Sequence, residues 1–350
     1  MIATFFRSSS FNCHEMCPMQ YFIEYNLGWR MPANIKADMG TIVHKVLEIL
    51  AIYKKSQQDG LDYFEDVEIY GNRKPKNNKI DVDKLISKVY IYYTKKLNHH
   101  VWTEEHFDTI KSWVWKALTF NNGMFDPRKL LIKHPEMEFN FDINEPWAKY
   151  SYSHQGSIIE GNLALKGTID LIVEHAPGYY EIIDWKTGKR YDWAKDEEKS
   201  HEKLNKDPQL MLYHYAACKI LPDVQQVMVT INFINDGGPF TVSFDNETII
   251  KTEKMLRDKF EKIKQTQIPQ LNRSWKCTKL CAAGKNTFEG TSIKPIVEGR
   301  VGKTTSQYSI MSRCEQTLYQ IEKRGIDWVQ ENMMEPNHQI GYYKSPGSVE

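Results

Sequence analysis

The chain has 350 residues, enough for one large domain with additions, and its 41% hydrophobic and 26% charged residues are the balance of a globular fold. Its net charge of +1 supplies no global basic field to steer it onto nucleic acid, so any such affinity must come from local patches. Residues 1–10 lack the apolar core of a secretory signal, no stretch reaches the length of a membrane span, and six cysteines do not make a disulfide scaffold, so the expected setting is reducing and cytoplasmic.

Residues 7–29 open with serines able to cap a helix and continue with aromatics at helical spacing. Residues 38–55 read as an amphipathic helix with Ile42, Val46, Ile49 and Leu50 on one stripe. Residues 81–120, rich in Tyr, Trp and Lys, read as one or two long helices. The pattern changes near His134: residues 136–143 alternate as a strand, and 162–175 and 178–188 read as strands joined by the turn Ala176-Pro177-Gly178. Residues 189–206 are charged and loop-like. Asp207 is placed as an N-cap with Pro208 at the first helical position, opening a helix that stops before Pro222. Residues 225–234 and 239–245 read as strands and 246–266 as a Lys-rich helix. After Cys281 the composition shifts to Gly, Ser, Thr and Lys, with one helical stretch near 313–331.

The central pair of strands raises a question of charge. Asp170 lies seven residues before Pro177 and Asp184 seven after it, so a regular hairpin sets the two acids level on one face. Opposed Cβ atoms lie about 5 Å apart. Two carboxylates so close repel unless a positive group lies between them, and a hard divalent cation is a natural filler. Lys186, two residues beyond Asp184, shares that face. The plainer reading is an exposed ion-pair ladder of little energetic consequence. Against it, Ile169, Leu171, Ile172, Ile182 and Ile183 read as a strand pair covered on both faces, where acids need a partner or a purpose.

GTIDLI at 167–172 followed by EIIDWKTG at 181–188 resembles the PD-(D/E)XK nuclease superfamily, specifically the RecB-type branch that includes the CRISPR-associated adaptation exonucleases. GTIVHKVLE at 40–48 resembles that branch's helix with a glycine and a metal-binding histidine. QLMLYHY at 209–215 resembles its Gln-x-x-x-Tyr motif, and the segment from Ser8 to Trp29 its N-terminal helix with a Cys-Pro pair. The matches run in order across roughly residues 8–285.

The resemblance implies an α/β, restriction-endonuclease-like core, a mixed central sheet flanked by helices, in residues 1–290, with a helical insertion at about 57–133 and a C-terminal extension at 291–350. It implies that His44, Asp170, Asp184 and the backbone carbonyl of Trp185 hold Mg²⁺ or Mn²⁺, the imidazole suiting Mn²⁺ better. It makes Asp170, Asp184 and Lys186 catalytic and gives Gln209 and Tyr213 the positioning of DNA at a helix N-terminus. Plainer roles stand beside these. His44 alone reads as a core or surface histidine with Glu48 one turn on, and Gln209 and Tyr213 as ordinary helix residues. Glu138 is a further candidate to face the site. Trp102, Trp113 and Trp115 read as packing before base stacking, and the lysines of 251–285 as a solvated face before phosphate contacts.

Iron–sulfur members of the branch carry one N-terminal cysteine and three grouped C-terminal ones. Here Cys13 and Cys17, then Cys277 and Cys281, fall two and two, with Cys314 well downstream and Cys218 within a helix. Four thiolates suit zinc or an iron–sulfur cluster, and ordinary reduced thiols are the alternative. The reading as a whole is a metal-dependent DNA nuclease, an exonuclease on ends or single strands in recombination, repair or processing. A structure-specific endonuclease and a catalytically silent DNA-binding subunit of a recombination complex are the rivals. No GxxxxGK[ST] loop occurs, so a helicase or recombination motor would be a partner protein.

Overall fold

Two long adjoining strands organise the chain, and the computed structural model describes residues 1–30, 32–63, 69, 80–192, 195–279, 281, 283–284 and 312–340. In order come β1 (Phe5–Phe6), α1 (Ser8–Met16), α2 (Pro18–Tyr21), α3 (Ile35–Asp59), α4 (Val82–Lys96) and α5 (Glu104–Thr119). Then follow β2 (Ile132–Asp142), β3 (Lys149–His154), β4 (Ser157–Asn162), β5 (Ala164–Ala176) and β6 (Tyr179–Lys186). The chain continues through β7 (Tyr191–Asp192), β8 (Glu197–Glu198), α6 (His201–Leu204), α7 (Pro208–Ile220), β9 (Gln226–Phe233) and β10 (Gly238–Ser243). Helices α8 (Asn246–Gln265), α9 (Lys276–Lys279), α10 (Arg313–Arg324) and α11 (Ile326–Asn332) complete the strands and α-helices among the described residues.

Strand β5 runs antiparallel to β2 along one edge, from Ala164 to Val173. Its other edge is shared: β1 pairs in parallel at Ala164 and Leu165, and β6 pairs antiparallel from Leu171 onward. β9 then lies parallel to β6, and β10 closes the sheet antiparallel to β9. This is a mixed central sheet flanked by helices, the restriction-endonuclease-like α/β architecture. Ile169, Ile172 and Ile182 join one core with α7 and α8, and Leu171, Ile183 and Trp185 another with α3, α4 and α5; Ile169 and Ile172 share a core across an odd spacing, so strict alternation breaks between them. The hairpin turn needs Gly178: its φ is +80°, and an added Cβ would stand 2.4 Å from the Asp223 carbonyl oxygen.

Local signals explain the helices that matter. Asn34 caps α3 by accepting the Ala37 N–H, and its stripe of Ile42, Val46, Ile49 and Leu50 is fully buried. Asp207 caps α7 by accepting the N–H groups of Gln209 and Leu210, with Pro208 following. Other details differ from the sequence expectations. Arg7, not a serine, is the N-cap of α1, and Ser10 accepts its N–H. β2 starts at Ile132, ahead of Pro135, with a register slip between Ile132 and His134 that blurs its alternation. Among the described residues of 189–206, Tyr191–Asp192 and Glu197–Glu198 pair as β7 and β8 and His201–Leu204 forms α6, and 313–331 breaks into two helices at Gly325. The β3–β4 hairpin escapes sequence reading because its buried positions are few and Ile158 lies exposed on β4, against the expected alternation.

Of the helical insertion, residues 64–68 and 70–79 lie outside the described residues, as do 285–311 and 341–350 beyond the sheet. Residues 312–340 pack on the N-terminal segment: Ile321, Ile326 and Val329 join its core, and Gln330 donates to Asn26 Oδ1 at 3.1 Å.

Candidate active site

The site begins where two strands part. β5 and β6 keep their ladder through the Leu171–Ile183 pair and then separate, while β6 continues along β9 to the Lys186–Phe233 pair. Continued register would set Asp170 opposite Asp184. Instead of a ladder bond, the Asp170 side chain enters the fork, and its Oδ2 accepts the Trp185 N–H at 2.9 Å. A strand residue projects its N–H and C=O from the same edge, so the Trp185 carbonyl opens into this fork as well.

Helices bring the remaining groups. α3 places His44 Nδ1 3.2 Å from Asp170 Oδ2. Lys186 straddles the Asp184 carboxylate. Its Nζ lies 2.8 Å from Oδ1 with hydrogen-bond geometry and 2.7 Å from Oδ2 without it. From the first turn of α7, Gln209 Nε2 donates to Asp184 Oδ1 at 3.1 Å and to Tyr213 Oη at 2.9 Å. Asp170, Asp184, Lys186, His44, Gln209 and Tyr213 are thus one connected group. Glu48 is not the partner of His44; it pairs with Lys45 at 2.6 Å. Glu138 is exposed on its strand.

Asp184 is the most enclosed member, its side chain 1% exposed. Burial raises its pKa, Asp170 adds to the rise, and Lys186 opposes it. Burial also acts on Asp170, but His44, then Lys186 and the Trp185 amide, outweigh it and hold this carboxyl below its ordinary value. Desolvation lowers the pKa of both Lys186 and His44, but Asp184 outweighs it at Lys186 and Asp170 at His44, so both pKa values are raised. Burying two acids side by side is costly, and the ion pairs offset that cost only in part. Asp184 Oδ2 is buried and receives no aligned hydrogen bond, only the Lys186 ammonium at 2.7 Å. Two carboxylates, an imidazole and a strand carbonyl around such an oxygen fit a hard divalent cation, Mg²⁺ or Mn²⁺.

The family model of the PD-(D/E)XK nuclease superfamily matches residues 8–284. The chain belongs to this superfamily. The superfamily is one of metal-dependent nucleases, so membership implies phosphodiester hydrolysis with DNA as substrate. A search of curated proteins returned no match. Among the described residues, no helix is long and apolar enough to cross a membrane.

A second carboxyl pair stands beside the nuclease site and was not singled out from sequence. Glu136 hydrogen-bonds Glu48, within electrostatic reach of Asp170. Its φ of +47° departs from regular strand backbone, so period-two alternation could not have placed it. The tryptophans pack: Trp102 donates to the Leu97 carbonyl and Trp115 to Asp83, both at 3.0 Å.

The cysteines meet elsewhere. Cys17, Cys277, Cys281 and Cys314 line one cavity of about 240 Å³. All are free thiols, and Cys281 is drawn down to about 7 by its hydrogen bond with Cys314. Cys13 is not in that lining; its thiol points to Glu24 Oε2 at 3.9 Å. Cys314 sits far along the chain, and only the packing of α10 brings it to the others.

Proposed function

We propose that this protein is a RecB-type deoxyribonuclease that degrades DNA exonucleolytically, from ends or on single strands, in recombination, repair or processing. The observation that carries the reading is the parted strand pair, with two carboxylates on one site and the Lys186 ammonium on the more buried of them. The bound Mg²⁺ or Mn²⁺ would be held by His44, Asp170, Asp184 and the Trp185 carbonyl, and would polarise a phosphate oxygen and acidify a water.

The chain's own groups do the rest. Asp170 joins the β6 backbone to His44 and keeps the imidazole turned to the fork. Lys186, which lies on the Asp184 carboxylate, would present its ammonium to the charge building on the scissile phosphate. Gln209 holds the Asp184 carboxylate from the N-terminus of α7, where free N–H groups and the helix dipole favour a phosphate. Tyr213 fixes the Gln209 amide. The choice of exonuclease over structure-specific endonuclease rests on the branch resemblance. The silent-subunit reading is disfavoured because Asp184 and Lys186 are both present and paired.

The cysteine cavity supports a second element of the reading. A metal centre there, iron–sulfur or zinc, would be held by Cys17, Cys277, Cys281 and Cys314 and would staple the N-terminal helices to α10.

End-labelled linear DNA, single- and double-stranded, compared with closed circles in Mg²⁺ or Mn²⁺, tests the reading. Progressive shortening of linear DNA with circles untouched supports it. Cutting of circles points to the endonuclease, and no cleavage of any substrate points to the silent subunit.

A further inference from the structure

Away from the nuclease site, Asp38 in the first turn of α3 meets His99 and His100 from the α4–α5 connection. His100 Nε2 lies 2.8 Å and His99 Nε2 3.2 Å from the same oxygen, Asp38 Oδ2. One ligand atom from each residue lies within 4.8 Å of the others. The two rings stand 4.0 Å apart, so consecutive residues have turned both imidazoles to one side. Side chains of consecutive residues ordinarily diverge, and their convergence here costs loop conformational freedom.

We propose that Asp38, His99 and His100 form a second metal site, distinct from the carboxylate fork, for a divalent ion of the zinc class. Two imidazoles and a carboxylate are a borderline N/O ligand set, which suits zinc better than Mg²⁺. Ligand atoms around a tetrahedral ion with bonds of about 2.1 Å lie about 3.4 Å apart, so the set needs to open by only about half an ångström. The charges agree: one carboxylate with two imidazoles leaves a divalent ion partly compensated. Side-chain exposure falls from 33% at His99 to 14% at His100 and 9% at Asp38, so the fourth position opens toward solvent on the His99 side.

The place of the site gives it a structural role. Two residues after Asp38, Gly40 lets α3 approach the end of β6 so closely that an added Cβ would stand 2.7 Å from Thr187 Oγ1. An ion at Asp38 would tie the helical insertion to this end of α3, the helix that carries His44.

Full-length protein freed of metal by chelation, then dialysed against micromolar Zn²⁺, tests the proposal. The wild type should retain one more zinc per chain than the His99→Gln/His100→Gln double variant, while Asp184→Asn and Cys314→Ser keep that equivalent. In the Cys314→Ser background, Zn²⁺ should raise the melting temperature of the protein with His99 but not of His99→Gln, a mild change at a partly exposed position. Co²⁺ substituted at the site in the Cys314→Ser protein should give visible bands without thiolate charge transfer. Equal zinc content in the wild type and the double variant, or an equal zinc-induced melting shift in His99→Gln, would overturn the proposal and leave an ion-pair network that caps α3.

Discussion

Trp185 donates its backbone N–H to Asp170 Oδ2 at 2.9 Å, at the point where β5 and β6 stop pairing. The carboxylate therefore does two jobs: it completes the β6 backbone and it faces a second carboxylate. These jobs separate by substitution. Asp170→Asn keeps an acceptor oxygen for the Trp185 N–H and trades the pairing with His44 and Lys186 against relief of repulsion with Asp184, so the metal-free protein should unfold at a higher urea concentration than Asp170→Ala while losing cleavage. Asp170→Ala leaves the Trp185 amide without its partner and should cost about 1–3 kcal/mol. Equal stability of the two variants would contradict the dual role.

Gln209 is a positioning residue, reached through the cap of its helix. Gln209→Leu should lower kcat/KM by about 10²-fold, as a loss of alignment does, with the unfolding midpoint little changed. Asp207→Ala should act on stability as well. It removes the acceptor of the Gln209 and Leu210 N–H groups and the partner of Lys199, costing about 1–2 kcal/mol. Asp207→Asn, which retains the cap oxygen, should recover most of both losses. A Gln209→Leu enzyme with wild-type kcat/KM would return Gln209 to ordinary helix surface.

Acid stability should be governed in part by two buried histidines. Burial holds His14 down to about 3, with Lys259 and Lys262 adding to the effect. Burial likewise holds His214 at about 4, against a small opposing pull from Asp245. In the unfolded chain both titrate near 6.5. Below that pH the unfolded state takes up protons that the folded state refuses, so stability is full above about pH 6.5 and falls as the pH drops. Between pH 7.5 and 5.5 the pair should remove roughly 3 kcal/mol, and His214→Leu should halve the dependence. Urea unfolding at the two pH values measures it; an unchanged difference in the variant would contradict the assignment.

The thiol cavity makes a selective prediction. Protein purified without oxygen should carry iron with labile sulfide, or zinc, and Cys314→Ser should lose it while Cys13→Ser keeps it. Metal lost from Cys13→Ser and kept by Cys314→Ser would reverse the ligand assignment.

Much of the site could be read from sequence because it rests on short-range rules. Period-two alternation and the turn at Pro177-Gly178 set Asp170 level with Asp184, and Asp207-Pro208 announces the helix that presents Gln209. What escaped depends on backbone exceptions or on distant segments. Glu136 lies in a left-handed conformation, Cys314 reaches the other thiols only through α10, and Asp38 meets His99 and His100 from a different part of the chain. The parting of β5 from β6 beyond the Leu171–Ile183 pair coincides with Asp170 and Asp184, but the turn of the Asp170 side chain to the Trp185 N–H has no local signature.

The central claim is that the parted carboxylates and Lys186 cut DNA with a divalent cation. Its most direct measurement is cleavage of end-labelled DNA by wild type, Asp184→Asn and Lys186→Ala across a Mn²⁺ titration, with circular dichroism to show that all three are folded. The account predicts metal-dependent cleavage by the wild type and none by either folded variant at any metal concentration. Wild-type rates in Asp184→Asn or Lys186→Ala would contradict it.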